Sequence, residues 1–224
     1  MTLTPELIQA FSEHPHGLCG QHDPAQIVSS VSDIEQRLCI LTLGAILDIN
    51  PLSPERWSKL VALAGHWLLE PSEVAHQPSQ GVLAAMQERH ILGPGYIARV
   101  WWQLSRGVQG RYKGSWQALI ADQGHQARTL QRYLRRNKAT FPVLAGPVIS
   151  ARWLDLIQRI GPINIQGWEA LTLPLPAKLK KKAHLFGIEE DAIHPMYLSA
   201  LHTWNISCKR MSVESCGFAS CPRR

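Results

Sequence analysis

The chain has 224 residues and a net charge of +6, long enough to bury a sizeable core in one domain or two small ones. No apolar run reaches the length needed to cross a membrane, and the start, Met1-Thr-Leu-Thr-Pro-Glu6, has neither the basic lead nor the apolar stretch of a secretory signal. These absences predict a cytoplasmic protein with no membrane partner.

The charge is unevenly spread. Residues 1–98 hold four basic and ten acidic side chains, a net of −6, whereas residues 99–224 hold nineteen and seven, a net of +12. A solvated basic surface would account for the second figure, but so would a flank that faces a polyanion. Nucleic acid is the commonest such partner, because Lys and Arg gain affinity by releasing counterions condensed on phosphate.

In chain order, the pattern is helical almost throughout. Residues 33–48 place Ile34, Leu38, Leu41, Ala45 and Ile46 at helical spacing, and Asn50-Pro51 ends the run. Ser53-Pro54-Glu55 reads as a cap, a first-turn proline and a first-turn acid, opening a helix expected to carry Trp57, Leu60, Ala64 and Trp67-Leu68 on one face. Further helices are expected over 81–88, 96–105, 115–121 and 127–137, with Gly93-Pro94-Gly95 and the stretch from Gly107 to Gly114 as breaks. No segment alternates polar and apolar residues with β-branched side chains, so the expected class is all-α.

The helix at 127–137 sorts its residues. Arg128, Arg132, Arg135 and Arg136 lie near one face; Leu130, Tyr133 and Leu134 lie on the other. An amphipathic helix must turn its charges to water whatever it binds. The density of arginine without balancing carboxylates adds phosphate contact as a reading for part of that face.

Three of the chain's five cysteines, Cys208, Cys216 and Cys221, crowd the C-terminal segment. A basic loop so short cannot bury a core of its own, and thiolates on a metal or iron–sulfur cluster would hold it shut. In a reducing compartment clustered cysteines bind metal more often than they pair, and an odd count argues against a complete disulfide framework. Their C-x7-C-x4-C spacing is not a standard zinc-finger spacing and leaves one ligand to be found. Cys39, inside an apolar run, reads as a core thiol.

After Phe141-Pro142, the run Leu144-Ala-Gly-Pro147-Val-Ile-Ser150-Ala151 reads as a tight glycine turn opening a new helix. Such a turn can be an ordinary connection, or it can offer backbone N–H groups to a phosphate. The segment resembles the hairpin of the helix-hairpin-helix DNA glycosylases of the endonuclease III type, whose pattern is Leu-x-Gly-Val-Gly-x-x-Thr-Ala; here it is one residue shorter. Leu173-Pro-Leu-Pro176-Ala-Lys178-Leu-Lys-Lys181-Lys182 stands where that family has Val-Pro-Val-Asp-Thr-His, and the cysteine tail stands where the family has a four-cysteine cluster loop. The resemblance spans roughly residues 28–224 and rests on order and pattern rather than on a long identity.

The resemblance implies a helical bundle with a helix-hairpin-helix motif over 28–160, and a metal-cluster subdomain from 1–27 with 161–224. It implies DNA contacts from Gly146, Ser150, Arg132, Arg136, Lys178 and Lys181. It also implies a [4Fe–4S] cluster on Cys208, Cys216 and Cys221, with Cys19 as the expected fourth ligand ahead of His194 and His202. Zinc is the alternative metal, and a monomer is expected.

The departures bear on chemistry. The family's catalytic aspartate falls on Pro176, which cannot activate water. The positions that carry a lysine nucleophile in bifunctional members read Val148, Ile149 and Ser150. Asp155 could be a relocated acid or a surface partner for Arg152 or Arg159. Trp101-Trp102 and Trp153 could stack on a displaced base or fill the core. The readings left open are a monofunctional DNA glycosylase, a DNA- or modified-base-binding protein that cuts nothing, and a zinc-stapled helical adaptor.

Overall fold

The computed structural model describes residues 24–47, 54–91, 95–161, 163–171, 173–174 and 192–193. The described part is all-α. Its helices are α1 (Pro24–Ser29), α2 (Ile34–Ile46), α3 (Pro54–Val61), α4 (Pro71–His76), α5 (Ser79–Glu88), α6 (Tyr96–Tyr112), α7 (Trp116–Asp122), α8 (Ala127–Arg136) and α9 (Pro147–Ile160). Short 3-10 turns occur at Trp67–Leu69 and Trp168–Ala170. Among the described residues, extended pairing is limited to a two-residue antiparallel ladder between Leu173–Pro174 and Ala192–Ile193 and an isolated parallel bridge between Gln126 and Gln166. No described helix is long and apolar enough to cross a membrane.

Helix α2 is the centre. Asp33 caps it by accepting from the Gln36 N–H at 2.9 Å, and every residue from Leu38 to Ile46 is buried. A helix buried on all faces has to be surrounded; α1, α3, α7 and α9 all pack against it. The fit is tight at Gly44, where a Cβ would come within 2.3 Å of the Trp57 ring.

Tryptophan fills the space around α2. Trp57, Trp101, Trp116 and Trp153 are fully buried. Trp101 stacks on Trp116 with centroids 6.4 Å apart, and Trp116 meets Trp153 at 5.8 Å. The Trp153 indole N–H donates to Thr42 Oγ1 at 2.9 Å, and that of Trp101 donates to the Leu68 carbonyl at 2.9 Å. These bonds satisfy groups that burial would otherwise strand. Trp101 and Trp153 are therefore core, and the base-stacking reading ends for both.

Two helix ends depart clearly from the sequence expectation. Helix α3 stops at Val61, so Ala64 does not share its buried face and is exposed. Gly65 turns the chain at φ +77°, its N–H donating to Gln36 Oε1, and the His66 ring accepts from Leu68 N–H to start the next turn. Helix α6 runs through Gly107 and Gly110 to Tyr112, where breaks were expected. Gly107 is needed there for close approach, since a Cβ would sit 2.3 Å from Thr140 Cγ2. Left-handed Lys113 and Gly114 close the helix, with Gly114 N–H donating back to the Val108 carbonyl. The core also runs past residue 160, because Ile165 and Leu171 join it.

Replacing Gly44 with alanine will destabilise the protein by about 1–2 kcal/mol: overpacking against Trp57 costs about 1–3 kcal/mol, partly offset by alanine's better helix propensity. Gly110, also helical but with open space at its Cβ position, is the control, and Gly110→Ala should stabilise by about 0.5–1 kcal/mol. Denaturant midpoints of the two variants check the pair of signs.

Candidate nucleic-acid interface

Helix α8 presents the arginine face expected from its sequence. Ala127, Leu130 and Leu134 are buried, while Arg128, Arg132, Arg135 and Arg136 are exposed. The helix carries no carboxylate. Its inner face is braced from two sides. Gln131 Nε2 donates to Ser150 Oγ of α9 at 3.3 Å. From α6, Arg111 donates to the Tyr133 hydroxyl at 3.0 Å and to Asn137 Oδ1 at 2.7 Å.

Helix α8 stops at Arg136, and residues 137–146 form turns, so no helix runs directly into Leu144. The turn is tight at Val143, whose φ is +65° and whose neighbours close on each other, Leu144 N–H donating to the Pro142 carbonyl at 2.6 Å. A β-branched residue in the left-handed region is strained and has to be held there by its surroundings. Here the ring of Phe141 is buried against Tyr133, and Leu144 is fully buried.

The N–H groups of Gly146 and Ser150 are taken up inside the turn and the first turn of α9. Gly146 N–H already donates to the Val143 carbonyl, and Ser150 N–H to the Gly146 carbonyl, both at 2.9 Å. Ser150 is also buried, its hydroxyl donating to the Pro147 carbonyl at 3.2 Å. The reason is register: Gly146 is the helix N-cap and Pro147 the first helical residue, which puts Ser150 at the first intrahelical bond. Among the described residues, the N–H groups without a bond at this end of α9 are those of Val148 and Ile149, and Val148 is exposed.

Asp155 is buried rather than superficial. Arg159, one turn on, holds both carboxylate oxygens, with Nε at 2.8 Å from Oδ1 and Nη2 on Oδ2. Burial lowers the pKa of the adjacent Arg152 guanidinium; Asp155 opposes that shift and Arg159 adds to it. The three groups form an internal charge cluster, and Asp155 does not present a free carboxylate to a substrate. Cys39 is a buried free thiol, its pKa pushed well up by burial.

Lys178, Lys181, Pro176, Cys19, Cys208, Cys216 and Cys221 lie outside the described residues. Among the described residues no group of His, Cys, Asp or Glu could hold a metal ion. Arg111 escaped the sequence reading because it sits on α6 and acts on α8, a pairing that no spacing along the chain signals.

No protein-family model matches this chain, and neither curated proteins nor solved structures show a match to it.

Replacing Asp155 with asparagine should cost about 3 kcal/mol of stability, because it leaves buried arginine charge without its partner. Equilibrium unfolding measures it; an unchanged midpoint would show that the pair is not structural.

Proposed function

We propose that this chain binds DNA, with α8 and the start of α9 against the phosphate backbone, as a helix-hairpin-helix-like module. The observation that carries this reading is the outer face of α8, four exposed arginines with no carboxylate in the helix. Along Gly95–Gly161 the imbalance is general: eleven basic side chains against Asp122 and Asp155. Both acids are engaged, Asp122 by Tyr112 and Gln123, and Asp155 by Arg159. The neighbouring turn adds the N–H groups of Val148 and Ile149 at a helix N-terminus, where the peptide dipoles favour an anion. Arg132 and Arg136 would then meet phosphates, with Lys178 and Lys181 extending the contact, and Gly146 serving to shape the turn.

Within this reading a binding protein is favoured over a glycosylase. The resembled family's catalytic aspartate position holds Pro176, and the nearest relocated acid, Asp155, is buried in its ion pair. The proposal includes the metal centre read from the sequence: an iron–sulfur cluster on Cys208, Cys216 and Cys221, with Cys19 as fourth ligand and zinc as the alternative metal. It is supported by the thiol density of the C-terminal segment and by the place of that segment in the resemblance.

Binding driven by counterion release has a measurable slope. The logarithm of duplex affinity should fall linearly with the logarithm of salt, and Arg132→Ala with Arg136→Ala should reduce that slope by about two. Salt-independent binding, or an unchanged slope in the double variant, would remove α8 from the interface. The metal centre is tested separately. Anaerobically purified protein should show the broad visible absorption of a cluster, or bound zinc by elemental analysis, and Cys208→Ser should lower the metal content. A metal-free protein indifferent to that substitution would end this part of the proposal.

A further inference from the structure

Helix α6 carries a second cationic face that the duplex reading does not use. Arg99, Arg106 and Lys113 are spaced seven residues apart and all are exposed. Seven residues are close to two turns, so Arg99 and Arg106 line up along one stripe about 10 Å apart, and exposed Lys113, the left-handed cap that follows the helix, adds a third charge beyond its C-terminal end. Gly110 sits on the same stripe, exposed, with nothing within 4 Å of its Cβ position. The sequence contains no carboxylate from Arg89 through Ala121. The helices packed along α6 bring Glu73 and Glu88, yet among the described residues none of the three cations forms an ion pair.

Two aromatic side chains flank the stripe. Tyr96, at its head, is 59% exposed, one of three large hydrophobic side chains exposed among the described residues. Trp102 is half-buried, its indole N–H donating to the Gln77 carbonyl at 2.7 Å, and the Arg106 guanidinium carbon lies 4.7 Å from its ring centroid. That cation–π contact holds Arg106 in place before any ligand arrives. Cations alone suit any polyanion. Cations interleaved with an exposed tyrosine and an arginine held over an indole suit a strand whose base faces are free, because paired bases in a duplex hide those faces.

We infer that the outer face of α6 is a binding track for single-stranded nucleic acid, with Arg99, Arg106 and Lys113 on the backbone and Tyr96 and the Trp102–Arg106 pair against unpaired bases. The inference rests on the duplex reading only in taking nucleic acid as the partner. The two faces are linked across α6: Gly107 packs on Thr140, and exposed Arg111 reaches Tyr133 and Asn137. A strand displaced from a duplex on α8 would have α6 beside it.

The test is fluorescence anisotropy of a labelled oligothymidine with the full-length chain over a range of salt. Wild-type protein should bind it. Arg99→Ala with Arg106→Ala and Lys113→Ala should reduce the single-strand salt slope by about two, while Arg132→Ala with Arg136→Ala should leave that slope in place and weaken duplex binding. Tyr96→Ala should weaken binding to oligothymidine more than to an abasic oligomer of equal charge. Unfolding midpoints of all variants guard against misfolding, and Arg106→Lys, which keeps the charge, provides a second variant should the triple fail to fold; it should retain the salt slope and lose affinity. Wild-type protein that fails to bind oligothymidine, or a triple variant that binds it as wild type does, overturns the track and leaves the duplex reading standing. Loss of single-strand binding in the triple variant, in a chain that never binds duplex, sustains the track and overturns the α8 reading. Equal binding of polyglutamate and oligothymidine, both lost in the triple variant, would show a face for acidic protein and overturn the assignment.

Discussion

Helix α2 constrains the rest of the structure. With Leu38 through Ile46 all buried, it has no side to give to water and is stable only when other helices enclose it. Gly44 lets the Trp57 ring come against its backbone, and Thr42 accepts the Trp153 indole N–H from α9. The contacts on α2 thus draw distant parts of the chain onto one axis. Glu35, in its first turn, reaches outward and accepts from Trp116 N–H at 2.8 Å and Gln117 N–H at 3.1 Å. A carboxylate at the N-terminus of α7 offsets that helix's dipole as well as satisfying its open donors, so the position of α7 also depends on α2.

The enclosed core sets the electrostatics of the surface. Between α6 and α9 the few acids are used internally or by local polar partners, whereas the arginines of α8 remain outside. Asp155 shows how far burial changes the meaning of a residue. One helical turn separates it from Arg159, a spacing that on a surface would contribute little. With Asp155 at 1% exposure and Arg159 at 13%, the same pair governs whether largely buried arginine charge is tolerated. Aspartate there serves the stability of α9, the helix that follows the turn at 137–146.

The turn over residues 137–146 is held by packing more than by its own sequence. Val143 adopts a left-handed conformation that its branched side chain disfavours, between buried Phe141 and buried Leu144. Thr140, just ahead of it, fits only because Gly107 leaves room on α6. The turn, the arginine helix and α6 are therefore one mechanical unit, with Arg111 as the polar link across it.

The helical class, the amphipathic split of α8, the core character of Cys39 and several helix starts were legible in the chain, because periodicity and caps are local signals carried within a few residues, whereas α1 and α4 were not foreseen. The arginine face was legible for the same reason: Leu130 and Leu134 mark the inward side, which places Arg128, Arg132 and Arg136 opposite. The continuation of α6 through Gly107, the exposure of Ala64, the burial of Asp155, the engagement of the Gly146 and Ser150 N–H groups and the reach of Arg111 to α8 emerge only from the folded arrangement. Each of these depends on a partner or a register set elsewhere in the fold. Glycine reads as a break until a neighbouring helix needs its missing side chain, and an acid reads as surface until the core closes over it.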